Sequence, residues 1–187
     1  MNQLPSVERL AGTAQECLTL WKADSAWPTL TAAALVHLHR WSALVGITTI
    51  DRLDLATDAR PLLVEAGRVL AINASAGLTS GQDLAASLPV PGPVAEAVYA
   101  LMAQVTELRG ITGRSGVRII HHTPDHALPY EPGCLTHQVY NATWGPPPER
   151  YWLSHQTFTA RQRELREQYA EIGLTLHGHR HTFSRTA

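Results

Sequence analysis

The sequence predicts an α+β fold: a helical N-terminal half over residues 1–110 and a smaller mixed α/β C-terminal unit over residues 111–187, as two domains or as one compact whole. Three observations carry that expectation. Apolar residues recur at three- and four-residue spacing through most of the first 110 positions, as in helices that bury one stripe. Beyond them, two short apolar runs at 117–120 and 174–176 have the character of strands. A charged, helix-forming stretch lies between these runs, giving the order strand, helix, strand.

Each element has its own justification. Residues 6–21 place Val7, Leu10, Ala11, Ala14, Cys17, Leu18 and Trp21 on one helical stripe. Pro28 suits a first turn, and residues 29–45 follow with Leu30, Ala34, Leu38, Trp41 and Val45 aligned before Gly46 stops the helix. A third helix is expected from about Asp58 to about Ile72, with Pro61 early in it, then a turn over residues 77–81 and a new helix from about Ser80. Pro89, Pro91 and Pro93 interrupt any helix, and residues 93–109 form the last helix of this half. Val117, Arg118, Ile119 and Ile120 read as a strand ending at His121-His122. Residues 128–150, rich in proline, glycine and aromatics, read as a long ordered loop. Residues 159–172 form a helix with Thr159 as N-cap and Gly173 as its stop, and Leu174, Thr175 and Leu176 form a second strand.

Composition narrows the function. A chain of 187 residues buries roughly 70% of its unfolded surface, so it needs no disulfides. Its two cysteines, Cys17 and Cys134, lie in unlike surroundings and fit free thiols in a reducing compartment. No basic-then-apolar leader opens the chain and no apolar run approaches the ~20 residues of a membrane span, so the expectation is a soluble, cytoplasmic protein with no membrane partner. A net charge of −1 gives no field for general binding to nucleic acid or anionic lipid. The excess is uneven, however: residues 111–187 carry eight arginines against six acidic residues. A mildly basic end suits an anionic substrate.

Eight of the ten histidines lie beyond residue 120, three of them in the cluster His177-Gly178-His179-Arg180-His181. Imidazole is the commonest protein ligand for transition metals, and at neutral pH several can gather at little electrostatic cost. Alternation at i, i+2 and i+4 along an extended segment would place all three on one face. Both histidine groups follow expected strands, so in a parallel sheet they would emerge at the same edge, where ligand sites form.

Here the residues resemble the last two motifs of calcineurin-like metallophosphoesterases. His121-His122-Thr123-Pro124 is similar to the family's HHxP element, and Gly178-His179-Arg180-His181 to its GHxH element. The resemblance spans roughly residues 115–185; the family's earlier Asp-bearing motifs have no counterpart in residues 1–110. It implies metal-dependent hydrolysis of a phosphoester or similar substrate, with a divalent ion (Zn, Mn or Fe) held by His121 or His122, His179 and His181. His177 or Arg180 would then assist the leaving group or bind phosphate. A partner chain or a second copy would supply the acidic ligands this chain lacks.

The same segment also resembles the second conserved box of tyrosine recombinases, because His177, Arg180, His181, Thr182 and Phe183 match an HxxRHTF pattern that opens a helix. This implies, as an alternative, a truncated DNA-binding relative without its own nucleophile. A third reading is a non-catalytic helical interaction module with a histidine-rich tail. Elsewhere, His37 and His39 read as ordinary helix residues. His137 and His155 recur in the similar settings Leu-Thr-His-Gln and Leu-Ser-His-Gln, and Cys134 with His137 has the C-x-x-H spacing compatible with zinc. Asp125 and Glu131 are candidate oxygen ligands. The aromatics between positions 140 and 152 fit packing better than base stacking.

Overall fold

The computed structural model describes residues 5–45, 53–80, 82–118, 128–171, 173–177 and 182–185. Helix α1, Val7–Ala23, starts where Ser6 accepts a hydrogen bond from the Arg9 amide at 3.3 Å. That serine hydroxyl satisfies one of the unpaired N–H groups at the helix start. The helix buries Leu10, Ala11, Ala14, Cys17, Leu18 and Trp21, the expected stripe apart from Val7, which is half-buried. It ends at Asp24, whose carboxylate accepts from the Ala26 amide and turns the chain into α2, Trp27–Val45. Leu30, Ala34 and Leu38 of α2 are buried.

The central element is α3, Leu55–Ser80, which packs against α1, α2, α5 (Gly92–Met102) and α7 (Leu135–Trp144). It begins ahead of the expected start because Asp54 caps it: its carboxylate accepts from the Ala56 amide at 3.0 Å. It also continues through Gly77, where the sequence predicts a turn. A single glycine inside a helix costs only about 1 kcal/mol, and the packed run of residues 69–76 outweighs it. Helix α4, Gln82–Ser87, follows, and the three prolines separate it from α5 as expected.

The helix expected over residues 93–109 is in fact two, α5 and α6, the latter Val105–Ser115. Gln104 leaves the helical region with φ −87° and ψ 61°. Its side-chain amide donates to the Ala100 carbonyl at 3.2 Å, replacing a backbone bond lost at the helix end. The expected loop over 128–150 contains α7, which buries Thr136, Val139 and Tyr140 at i, i+3 and i+4. Helix α8, His155–Glu171, starts four residues before the expected Thr159 because Ser154 is the cap; its hydroxyl accepts from the Thr157 amide at 3.2 Å.

The α+β expectation is overturned. The architecture is helical, and the only strands among the described residues are β1, Leu174–His177, and β2, Thr182–Arg185, a terminal antiparallel hairpin. β1 pairs antiparallel with its immediate successor, β2, and with no other strand among the described residues. Val117 and Arg118 are irregular, and residues 119–127 lie outside the described residues. The physical reason is that aromatic side chains from the second half fill a helix-to-helix core. Tyr130, Val139, Tyr140, Tyr151 and Trp152 join Leu10, Trp21, Leu62 and Ile111 in one continuous apolar cluster. Among the described residues the core is thus closed by helices, and the short apolar run at 174 pairs locally with residues 182–185.

α8 meets the bundle through α5. Phe158 lies flat on Gly92, where a Cβ would sit 2.1 Å from the phenyl ring, so only glycine permits the approach. Gly173, at φ 74°, turns the chain from α8 into β1.

Candidate functional site

Of the histidines and arginine singled out for chemistry, the described residues include only His177, the last residue of β1. His121, His122, His179, Arg180 and His181 lie outside them. His177 pairs with Thr182 across the two strands, and residues 178–181 lie outside the described residues. The chain reverses direction between His177 and Thr182. The expectation that His177, His179 and His181 share one face of an extended segment falls on positions outside the described residues. Three imidazoles within five residues of sequence are a donor set suited to a borderline divalent ion. Thr182–Arg185 is strand, not the opening of a helix that the recombinase-like pattern implies. Among the described residues no three His, Cys, Asp or Glu side chains gather as a metal site. Cys134 and His137 are thus no zinc centre together with a described third ligand.

A second polar constellation, which sequence reasoning read as packing, lies where residues 150–152 cross α3. Three consecutive side chains each donate to a buried carboxylate of that helix. Arg150 bonds Asp58 through Nε at 2.8 Å and Nη2 at 2.6 Å, and the Tyr151 hydroxyl donates to Asp58 at 2.9 Å. Trp152 Nε1 donates to Glu65 Oε2 at 2.9 Å. The Asp54 amide completes the set on Asp58 at 3.0 Å. The Arg150 guanidinium holds the Asp58 carboxyl below the usual carboxylate range, against the opposing effect of burial.

Beyond this crossing the network extends into aromatic rings. Arg68, one turn after Glu65, donates from Nη1 to Glu65 Oε1 at 2.8 Å and to the Tyr140 hydroxyl at 2.5 Å. Its guanidinium carbon lies 5.5 Å from the ring centres of both Tyr140 and Trp144. Such cation–π contacts hold an arginine plane in place. Tyr140 packs on Trp152 at 4.3 Å between centroids, and Tyr130 meets Trp152 edge-on at 5.6 Å.

His137, half-buried on α7, closes the cluster: its Nδ1 lies 2.7 Å from the Tyr130 hydroxyl. Burial pushes the Tyr130 hydroxyl well above the ordinary phenol range, with the neighbouring Cys134 and Glu131 adding to the effect. The bond to Tyr130 holds the imidazole ring in place, its direction set by the tautomer. Burial likewise raises the Tyr140 hydroxyl. The cluster can anchor charge in the core and present an oriented arginine and histidine at its margin. The signal available in the sequence was Asp58 and Glu65 seven residues apart on a face otherwise made of Leu62, Ala66 and Val69. Two carboxylates on an apolar stripe demand partners.

No described helix is long and apolar enough to cross a membrane. Compared with protein-family models, with curated proteins and with solved structures, the chain matches none.

Proposed function

We propose that this chain is a metal-dependent hydrolase of a phosphoester or similar anionic substrate, with its ion held at the C-terminal hairpin. What supports this reading is the sequence: His177, His179 and His181 fall within five residues of one another, beside Arg180. In this reading His179 and His181 are ligands, His121 or His122 joins them, and Arg180 binds a substrate oxyanion. His177 gives or takes the proton of the leaving group, a task suited to imidazole near neutral pH. A bound divalent ion supplies a nucleophilic water at neutral pH and polarises the phosphoryl oxygens. Acidic ligands come from a second copy or a partner chain.

The test is elemental analysis of tag-free protein purified without added metal, comparing wild type with the His179→Ala/His181→Ala double variant. Near-stoichiometric zinc, manganese or iron that disappears in the variant is the expected result. Hydrolysis of bis(p-nitrophenyl) phosphate should fall with it. Wild-type protein that takes up no divalent metal, even after incubation with zinc or manganese, overturns the proposal.

A further inference from the structure

We propose that Arg68 is a binding site for a small oxyanion, a carboxylate or a phosphate, engaged through its Nε–Nη2 edge. This reading is independent of the histidine hairpin and needs no metal.

The molecule contains its own standard of comparison. Arg114 holds Asp24 through Nε at 2.7 Å and Nη2 at 2.8 Å. Arg150 holds Asp58 through the same two nitrogens. Both use the side-on edge, whose parallel N–H groups match two oxygens of one carboxylate. Arg68 is arranged the other way. Nη1 alone serves its protein partners, Glu65 and Tyr140. Glu65 cannot turn to the remaining edge, because Trp152 Nε1 holds its other oxygen.

The Nε of Arg68 is buried and has no hydrogen-bond partner in the protein. The side chain as a whole is 27% exposed, so the guanidinium reaches the surface elsewhere. A charged N–H shielded from solvent and left unbonded is costly, and an incoming oxygen removes that cost.

The surrounding rings favour a ligand. Those of Tyr140 and Trp144 fix the guanidinium plane, so the donor pair is oriented before binding and little rotamer entropy remains to be lost. Glu65 already offsets the arginine charge, so recognition depends on the paired N–H geometry. A dissociation constant on the order of 1 mM is expected for inorganic phosphate or acetate.

The test follows the arginine Nε–Hε signals of the full chain by ¹⁵N nuclear magnetic resonance. Sodium phosphate and sodium acetate are titrated separately, with sodium chloride at matched ionic strength as reference. The Arg68 signal is identified by its loss in Arg68→Lys or, where that variant does not fold, by its contacts with Tyr140 ring protons. A saturable shift of the Arg68 signal in phosphate or acetate, absent in chloride, with Arg114 and Arg150 unmoved, is expected. Response to one anion and not the other names the ligand. No movement of the Arg68 signal, or equal movement in chloride, overturns the proposal.

Discussion

Where residues 150–152 cross α3, two buried carboxylates have a donor on each oxygen, most of them from distant parts of the chain; the C-terminal hairpin joins two strands adjacent in sequence by four residue pairs. Asp58 receives three donors besides its own amide neighbours, and Glu65 has a donor on each oxygen. These carboxylates sit in the core because other parts of the chain complete them. The pairing of β1 with β2 needs no such completion from distant chain, since the two strands are adjacent in sequence. The difference separates two ways of building a polar site. The first should cost stability when any member is removed; the histidine cluster should be removable without disturbing the fold.

The largest expected effect lies in the first region. Glu65→Ala leaves the Trp152 N–H without its acceptor and Arg68 with the Tyr140 hydroxyl alone, and should cost about 3–5 kcal/mol. Urea unfolding checks it; a loss under about 1 kcal/mol would mean that water replaces the carboxylate. His179→Ala/His181→Ala should leave the same midpoint unchanged, which makes the contrast between the regions direct.

Gly92→Ala comes next, because it tests how the C-terminal region is attached to the bundle. The added methyl overlaps the Phe158 ring, and overpacking of this kind costs typically 1–3 kcal/mol. Hydrogen exchange should accelerate in α8 and the hairpin while α1 and α3 keep their protection. Uniform acceleration would show that α8 unfolds only with the bundle.

The smallest effects are in acid. Two aspartates are held below their ordinary range by arginines: Asp58 by Arg150, and Asp24, lowered to about 2, by Arg114. Each bridge therefore stabilises the fold fully above the unfolded carboxyl value of about 4 and fades as pH falls through the folded value. Arg150 and Arg114 are both more than half exposed, so solvent screens each bridge. Asp58→Asn and Asp24→Asn should each flatten the decline in stability between about pH 5 and about pH 2. The flattening should be greater for Asp24, whose carboxyl is lowered further, to about 2, whereas burial opposes the lowering at Asp58. Equal flattening in denaturant titrations would show that burial does not oppose the Asp58 bridge.

Much of the helical half was legible. The α1 stripe, the Pro28 start, the proline break before α5 and the Gly173 stop all follow from periodicity and local backbone chemistry. The errors have physical causes. Gly77 was read as a breaker, but packing outweighs a single glycine. The break at Gln104 carries no proline or glycine; it depends on a side-chain amide finding the Ala100 carbonyl. Helix α7 was hidden because prolines flank it and its buried residues are few. Ser154 stands where a cap belongs, but the helical pattern beyond it is weak.

The Leu174–His177 strand was likewise legible, while its partner was not. Nothing in a four-residue run states whether it pairs with a neighbour or with a distant strand. Arg150, Tyr151 and Trp152 likewise read as loop residues until α3 supplies their acceptors.

By itself, then, the sequence determined the helical elements whose amphipathic period exceeds two turns, and it concentrated imidazoles at the C-terminal end. Tertiary structure decided which strand β1 would join, where charge could be buried, and that aromatics from residues 130–152 would close a helical core instead of a sheet. The reason is one of range. Periodicity, caps and breakers act within a few residues, whereas Asp58 and Arg150 satisfy each other across 92 positions of chain.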